Sequence, residues 1–402
     1  MAPSATSNGK AVAVKADVSK NRAVILSKIN DVSVQDWPLK LDSYRDSPPY
    51  EPGSPLPSGK ALVRVRAGGI CGSDIHFWKE GRAGPDIIKE PFIIGHEAAG
   101  EVIQVADDVQ SWVPGDRAAI KPALPCLACD DCTTGYSNLC SSIEYYGVPA
   151  PGGRQDGLLT TYKIVPVTAL ARLTPRISWV EAGAIQPLAI ALQMTRQAGL
   201  KAHQTVLILG GGCIGLLLGA VAKAYAARKV VVFEVQPHRA EFAKTYCADQ
   251  AFVNPPRHLN ETTEEYSNRV AKHILSSVDG LYRGFDVVVE AAGAEECMQI
   301  GLHVCKPGGT YVQVGLLNSP MPRIPIMDIC SKQLNVRGTW RYTTNCFEDA
   351  ISLIDRGLVD MKSLISHVFP FEQSLEAFET VHEVKAKDGR NVFKVVISDE
   401  KL

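Results

Sequence analysis

Four cysteines lie within a stretch of fifteen residues and could bind a single metal ion. Their spacing is C-x2-C-x2-C-x7-C, and they are Cys126, Cys129, Cys132 and Cys140. Four thiolates can surround one zinc ion in tetrahedral geometry, which makes a structural site. The alternative is two disulfides in a secreted domain, but we expect no secretory segment here, and six further cysteines are scattered without pattern. The spacing therefore predicts structural zinc.

Cys71 and the pair His96-Glu97 form a second candidate metal site. Cys71 lies in Gly-Ile-Cys-Gly-Ser-Asp-Ile-His, and the pair lies in Gly-His-Glu-Ala-Ala-Gly. Taken singly, the cysteine could be a small buried hydrophobe and the histidine a hydrogen-bonded core residue. Together with a zinc lobe and a nucleotide-binding fold, the combination indicates a catalytic zinc with an open coordination position.

A glycine-rich turn is the third chemical signal. The stretch Gly-Gly-Gly-Cys-Ile-Gly starts at Gly210, follows a short apolar run and opens a helical pattern, as in G-x-G-x-x-G. Gly210 permits a tight turn, Gly212 lets the backbone approach a pyrophosphate, and Gly215 allows close helix–strand packing. Glu234, about twenty residues further on, can accept hydrogen bonds from the adenosine ribose and would repel a 2′-phosphate. This predicts NAD, although Arg239 nearby leaves NADP open.

Two kinds of structure must position these residues. From Arg22 to about Ile120, short alternating or apolar runs between turn residues predict a β-rich domain. From about Trp179 onward, strand patterns alternate with helical patterns, which predicts a parallel, doubly wound sheet. The strands predicted there are 205–209, 229–233, 285–290 and 309–314. The fold class is therefore α/β plus β, with the four-cysteine segment projecting as a lobe held by metal.

Length and composition narrow the functional classes. The chain has 402 residues, 46% of them hydrophobic and 21% charged, which fits a globular protein of about two or three domains. A net charge of −1 gives no electrostatic reason to expect nucleic acid or an anionic membrane as a partner. No apolar run approaches the roughly 18 residues that span a bilayer. Many unpatterned thiols favour a reducing compartment, so we expect the cytoplasm.

The motifs together resemble the zinc-dependent medium-chain alcohol dehydrogenases, in particular the polyol branch of xylitol, sorbitol and arabinitol dehydrogenases. The matching stretches are 69–76, 81–82, 95–100, 126–140, 210–215, 309–314 and 337–342. The resemblance implies a GroES-like catalytic domain split by a Rossmann domain, with the active site between them. The implied division is a disordered tail over 1–21, a catalytic domain over 22–188 that includes the four-cysteine zinc lobe, an NAD-binding domain over 189–336, and the rest of the catalytic domain over 337–402.

The resemblance also implies residue roles. The catalytic zinc would be held by Cys71, His96 and Gln186, with Glu97 beside the metal and able to replace water as a ligand. Ser73 and His76 match a proton relay from the substrate hydroxyl to solvent. The expected substrate contacts are Phe77, Arg341 and Tyr342. The expected cofactor contacts are Gly210, Gly212, Ile214, Gly215, Glu234, Arg239 and Val314.

Gln186 departs from the polyol branch, which usually has glutamate in a run like Ala-Leu-Ile-Glu-Pro-Leu. An amide oxygen is a neutral and weaker donor than a carboxylate, so the zinc site would keep one net positive charge. Three readings stay open: Glu97 moves onto the metal, zinc binds loosely with slow or altered catalysis, or catalysis is lost and NAD binding remains. Lys121, where this branch commonly has glutamate, is a second departure.

We therefore predict an NAD-dependent enzyme with two zinc ions per chain, which oxidises a secondary alcohol of a sugar alcohol to the ketose. The alternatives are oxidation of another diol or modified sugar, and a catalytically silent NAD-binding protein. Family members usually form dimers or tetramers through the coenzyme domain, so a homo-oligomer is expected, with no nucleic acid and no membrane as partner.

Overall fold

The computed structural model describes residues 17–44, 47–84, 86–150, 153–154, 156–315 and 321–400. The tail expected over 1–21 falls largely on residues 1–16, which lie outside the described residues. Of residues 17–21, Val18 and Asn21 are buried and the other three are exposed, and Val18–Lys20 forms one 3₁₀ turn. The side chain of Asn21 donates a 3.0 Å hydrogen bond to the carbonyl of Trp37. The packed structure thus begins before Arg22.

A mixed sheet of seven strands uses residues from both ends of the chain. Its order is Leu170–Arg172, Arg117–Ile120, Glu97–Val105, Lys60–Gly69, Lys394–Ser398 and Ile365–Phe369, with Tyr162–Pro166 also paired to Lys60–Gly69. The last two strands in this order run parallel, and the other pairs are antiparallel. Because Lys394–Ser398 pairs with Lys60–Gly69, the C-terminal part of the chain completes the sheet that the N-terminal part begins.

The second sheet has six parallel strands and confirms the predicted doubly wound fold. Its order is Gln250–Val253, Lys229–Glu234, Thr205–Leu209, Phe285–Glu290, Cys305–Gln313 and Asn335–Gly338, the order expected of a dinucleotide-binding sheet. Alternate residues of the central strand enter two different cores: Val206 and Ile208 one, Leu207 and Leu209 the other. Burial on both faces explains why this strand reads as an unbroken apolar run. The associated helices are Cys213–Ala224, Pro237–Tyr246, Thr263–Ser277, Glu295–Val304 and Ile326–Ser331.

The remaining helices belong to the mixed-sheet part or connect the two sheets. They are Gly72–Glu80, Asp130–Thr133, Trp179–Ala182, Ile185–Ala198, Cys346–Asp355, Met361–Leu364 and Ser374–Glu383. The predicted domain division at 188 falls inside the helix Ile185–Ala198, and the one at 336 inside the strand Asn335–Gly338, so both boundaries stay predictions.

The strands outside the two large sheets are short. They are Arg22–Lys28, Asp31–Asp36, Arg82–Ala83, Asp86–Ile87, Phe92–Ile93, Ala123–Leu124, Glu144–Tyr145, Pro149–Ala150 and Gly153–Arg154. Glu144–Tyr145 pairs antiparallel with Ala123–Leu124 at the base of the four-cysteine lobe. In the described parts of the chain, no helix combines the length and the apolarity needed to cross a bilayer.

Candidate active site

The four cysteines of the lobe converge on one point. The sulfur atoms of Cys126, Cys129, Cys132 and Cys140 lie within 4.8 Å of one another. The sulfurs of Cys126 and Cys132 are 3.9 Å apart, far beyond a disulfide bond but close to the edge of about 3.8 Å that four Zn–S bonds of about 2.3 Å produce in a tetrahedron. Backbone amides also point at the sulfurs, with the Cys129 amide 3.3 Å from the Cys126 sulfur.

The electrostatics of the lobe match a cation site. Backbone hydrogen bonds from Ala128 and Cys129 lower the pKa of the Cys126 thiol to about 6. Desolvation and the neighbouring thiols raise the pKa of Cys132 to about 12, because four adjacent sulfurs cannot all ionise without a compensating charge. A divalent ion supplies that charge, so the donor set fits zinc.

Cys71 and His96 meet in the interior, held by a carboxylate that sequence reasoning did not assign. Cys71 precedes the helix Gly72–Glu80, and its backbone amide donates a 2.9 Å hydrogen bond to Asp74. The other oxygen of Asp74, a fully buried residue, lies 3.4 Å from Nδ1 of His96. Metal-binding histidines are commonly oriented by a carboxylate in this way.

The same contacts set the protonation of the pair. Burial disfavours the imidazolium, but the Asp74 carboxylate and the Cys71 thiolate outweigh it and raise the pKa of His96 well above its usual value. Burial likewise opposes ionisation of Cys71, yet the positive His96 lowers the pKa of that thiol overall. The contacts thus favour a thiolate beside an imidazolium, and a zinc ion bound here would release the imidazolium proton and take both side chains as ligands.

Glu97 lies with this cluster but is bound to a lysine. Its carboxylate is within 4.8 Å of the ligand atoms of Cys71 and His96. Both of its oxygens contact Nζ of Lys394, at 2.6 and 2.8 Å, and the two side chains are 1% and 3% exposed. Moving Glu97 onto a metal would leave Lys394 buried, with the carbonyl of Ile70 as its remaining hydrogen-bond acceptor among the described residues. Such an uncompensated charge is costly, so the structure favours Glu97 as the counterion of Lys394.

Gln186 lies in the first turn of the helix Ile185–Ala198 and is linked to the cluster through Tyr145. Its side-chain Nε2 donates a 3.0 Å hydrogen bond to the hydroxyl of Tyr145, and both residues are 6% exposed. The ring of Tyr145 lies 5.9 Å from the ring of His96, centroid to centroid. The guanidinium of Arg341 lies 4.9 Å over the same tyrosine ring. Arg341 has a φ of 53°, an uncommon conformation for a residue with a side chain, as is typical of residues held at functional sites.

The glycine turn adopts the geometry that a pyrophosphate requires. Gly210 has a φ of 109°, and a Cβ on Gly215 would lie 1.9 Å from the carbonyl oxygen of Gly210. A Cβ on Gly212 would meet nothing within 4 Å, which leaves room for phosphate at the N-terminus of the helix Cys213–Ala224. Glu234 accepts a 2.6 Å hydrogen bond from the amide of Gly211 at the end of its strand. The predicted turn therefore fits a dinucleotide.

The other expected cofactor contacts flank this turn. Ile214 lies in the first turn of the helix, and Arg239 lies half-buried in the helix Pro237–Tyr246. Val314 follows the strand Cys305–Gln313, and its amide donates a 3.0 Å hydrogen bond to the carbonyl of Glu290.

Of the two relay residues, His76 lies on the solvent side of the helix Gly72–Glu80. Its Nδ1 is 2.8 Å from Glu80, and its side chain is 61% exposed. Ser73 lies one turn earlier on the same helix, so the two side chains share a face.

Two expected substrate contacts are buried. Phe77 packs edge-to-face against Phe92 in the core, because helical periodicity puts it on the same inward face as Asp74. Its role as a substrate contact stays a prediction. Tyr342 is 6% exposed, and its hydroxyl accepts a 2.9 Å hydrogen bond from the amide of Ala123, so it anchors the base of the lobe.

Lys121 forms a 2.7 Å ion pair with Glu348, which explains its charge without a catalytic role. Both residues line a cavity of about 520 Å³ beside the lobe, together with Tyr342 and Thr343. Cys71, His96 and Gln186 are not part of its lining, so this cavity is separate from the cluster.

Sequence reasoning missed Asp74, Tyr145 and Lys394. Asp74 had a local signal, because an acidic residue three positions after a helix N-cap commonly caps it. Tyr145 and Lys394 had none, since each meets the cluster only through the fold.

The fold and the two clusters define a zinc- and dinucleotide-dependent dehydrogenase, and comparison with known proteins agrees. The family model described as an alcohol dehydrogenase GroES-like domain matches residues 57–175, and the one described as zinc-binding dehydrogenase matches residues 213–356. D-xylulose reductase A of Aspergillus oryzae is 36% identical over 92% of this chain and 95% of its own length. A probable D-xylulose reductase A of Arthroderma otae is 35% identical over 93% and 97%.

Solved structures share the whole fold. L-idonate 5-dehydrogenase of Escherichia coli is 26% identical, covers 94% of this chain and 98% of its own, and superposes with a TM-score of 0.78. A putative zinc-binding dehydrogenase of Sinorhizobium meliloti bound to NADP is also 26% identical, over 94% and 99%, with a TM-score of 0.76. The chain therefore belongs to the zinc-dependent medium-chain alcohol dehydrogenases, in their polyol branch. It is an enzyme of this family and uses zinc and a nicotinamide cofactor.

Proposed function

We propose that the protein oxidises a secondary alcohol of a sugar alcohol, of the xylitol or sorbitol type, to the corresponding ketose with NAD. The observation that carries this is the junction of the two sites. Cys213, the residue directly after Gly212 in the glycine turn, interacts electrostatically with Cys71, Glu97 and Lys394. The end of the dinucleotide turn is therefore near enough to the buried metal cluster for the charges there to act on it, which supports hydride transfer between an alcohol and a nicotinamide ring. The fungal relatives named D-xylulose reductase support the sugar-alcohol class.

The residue roles follow from their positions. Cys71, His96 and Gln186 would hold the catalytic zinc, which when bound acts as a Lewis acid that lowers the pKa of an alcohol. Asp74 fixes the ring of His96, and Lys394 holds Glu97. Arg341 offers donors to substrate hydroxyls beside Tyr145. Ser73 would accept the hydroxyl proton and pass it to His76, which reaches solvent.

NAD is the proposed partner of the glycine turn, with Glu234 as the residue that selects it. Replacing Glu234 with alanine removes the acceptor for the ribose hydroxyls and the charge that repels a 2′-phosphate. We expect NAD affinity to fall by about tenfold or more and NADP use to rise, both read from steady-state kinetics. An unchanged ratio of NAD to NADP efficiency would contradict this assignment.

The test of the function is NADH formation with a panel of pentitols, hexitols and simple diols. The Cys71→Ser variant serves as the negative control, because it lacks a metal donor, and the exposed Cys330→Ser as the matched control. Activity on a polyol that Cys71→Ser loses and Cys330→Ser keeps supports the proposal. Activity confined to simple diols would point to the alternative substrate class. NAD binding without oxidation of any member would refute the polyol assignment.

A second copy of the chain is the proposed partner. The strand Asn335–Gly338 ends the parallel sheet and, among the described residues, pairs on one side only. Val336 in it is 47% exposed, and Ile326 and Met327 are 58% and 72% exposed. Pairing with the same strand of another copy would satisfy the open backbone groups and cover these side chains. Light scattering should show a dimer or tetramer that Met327→Asp weakens.

The cytosol is the proposed compartment. All eleven cysteines lie in described residues, and all are free thiols rather than disulfides. Free thiols in this number are typical of a reducing environment.

A further inference from the structure

The hydrogen bond between Gln186 and Tyr145 has a chemical consequence for the metal cluster. A glutamine side chain ends in one acceptor, the oxygen Oε1, and one double donor, the nitrogen Nε2. The oxygen can bind zinc, whereas the NH₂ group cannot. An amide at a metal site must therefore be held with the correct end toward the metal, a requirement that a carboxylate does not have.

The structure satisfies this requirement through Tyr145. Nε2 of Gln186 donates to the tyrosine hydroxyl at 3.0 Å, so the opposite end of the amide, Oε1, remains for the metal. The tyrosine itself is fixed on three sides. Its backbone pairs with Ala123, its ring contacts the ring of His96, and the guanidinium of Arg341 covers it. In this arrangement the hydroxyl accepts from the Nε2 end of the amide, and the Oε1 end faces away from it.

We propose that Tyr145 is a positioning residue that orients the amide of Gln186 toward the catalytic zinc and so allows a neutral side chain to replace the usual carboxylate. This inference rests on the proposed metal site and adds a residue to it. It also accounts for Glu97 staying with Lys394, because the zinc then has its third donor without drawing Glu97 away.

The inference predicts that the importance of Tyr145 depends on what stands at position 186. In the parent, Tyr145→Phe removes the partner of the NH₂ group and leaves it unpaired in a buried place, so the amide loses its fixed orientation. With glutamate at position 186, the two carboxylate oxygens are equivalent, so no orientation can be lost, and the tyrosine hydroxyl can donate to the oxygen that is not on the metal. The same tyrosine substitution then removes a hydrogen bond but leaves no buried NH₂ group unpaired, so it should weaken zinc binding less than in the parent.

The experiment measures zinc affinity of the buried site in four proteins: the parent, Tyr145→Phe, Gln186→Glu and the double variant. Chelator competition gives the dissociation constant, and metal analysis gives the zinc content per chain. We expect Tyr145→Phe to weaken zinc binding by about 10- to 100-fold in the parent, as removal of an outer partner of a ligand does. In the Gln186→Glu background we expect a loss at least about threefold smaller than in the parent, a difference larger than the usual error of additivity. The lobe zinc should be retained in all four.

Two further variants serve as controls. Tyr146→Phe removes a hydroxyl from the neighbouring tyrosine, which is 1% exposed and lies in a different part of the core, and should leave zinc affinity unchanged. Gln186→Leu removes both ends of the amide and sets the largest loss that misorientation can cause. If Tyr145→Phe lowers the zinc affinity more than Gln186→Leu does, the tyrosine has another role and the inference is overturned.

The remaining outcomes separate this inference from the proposed function. Equal losses in the two backgrounds mean that Tyr145 acts by packing against His96, and they overturn the inference while the metal site stands. An unchanged affinity in Tyr145→Phe overturns it as well. A parent protein with one zinc per chain, bound in the lobe, would refute the buried metal site and the inference together.

Discussion

The two cysteine-containing clusters differ in how the chain builds them. The lobe takes its four donors from one segment of fifteen residues, and backbone amides of the same segment complete it. The buried cluster takes Cys71 from the start of a helix, His96 from the residue before a strand, and Gln186 from a second helix. Its outer partners, Tyr145 and Lys394, come from still other parts of the chain.

The number and charge of the donors determine what each cluster can do. Four thiolates from one loop bind zinc strongly and leave no position for a substrate, which suits a structural role. One thiolate with neutral donors binds zinc less strongly, leaves a net positive charge and keeps a position open. The buried cluster therefore depends on partners that orient its donors, and the lobe does not.

The largest expected effect distinguishes the clusters by what they support. Cys71→Ser should lower the turnover by on the order of 10³-fold or more, since the Lewis acid contributes several kcal/mol to the transition state, while the fold stays intact. Cys132→Ser should instead lower the free energy of unfolding by several kcal/mol, because structural zinc contributes folding energy. Kinetics and urea unfolding of both variants measure this. Loss of stability in Cys71→Ser equal to that in Cys132→Ser would remove the distinction.

The pair of Lys394 and Glu97 tests the buried cluster from the side opposite Gln186. Lys394→Met should destabilise the protein by about 3–5 kcal/mol, because it leaves a buried carboxylate without its partner. Adding Glu97→Gln removes the orphaned charge and should restore most of the lost stability. Urea unfolding of the two single variants and the double variant provides the cycle. A fully additive double variant would mean that the two charges are not coupled.

Metal removal should affect the clusters in sequence, and the difference between their zinc affinities is the smallest of the expected effects. A chelator in excess should first take the zinc of the buried cluster, because one anionic donor holds it less strongly than four. Activity should reach zero when one zinc per chain remains, with secondary structure unchanged. Parallel measurement of zinc content, activity and circular dichroism follows the process. Prior release of the lobe zinc with activity retained would reverse the ranking of the two affinities.

The same contrast explains what could be predicted from the sequence. The lobe and the glycine turn are local, so spacing alone located the four lobe cysteines and the Gly210 turn. Apolar runs predicted four of the six strands of the parallel sheet, and the short outer strands Gln250–Val253 and Asn335–Gly338 were missed. The helix Gly72–Glu80 was missed because more than half of its residues are polar and its apolar residues are few, so no apolar periodicity marks it. The strand Ile365–Phe369 and the roles of Tyr145 and Lys394 depend on contacts distant in sequence, to which no local pattern points.

The most direct test of the account is anomalous diffraction at the zinc absorption edge from crystals of the protein with NAD. The account predicts two zinc peaks per chain, one among the four lobe cysteines and one bonded to Cys71, His96 and Gln186. The distance from the second ion to Oε1 of Gln186 should be about 2.0–2.2 Å, with Glu97 still on Lys394. A second ion bonded to Glu97 in place of Gln186, or a single peak in the lobe, would contradict it.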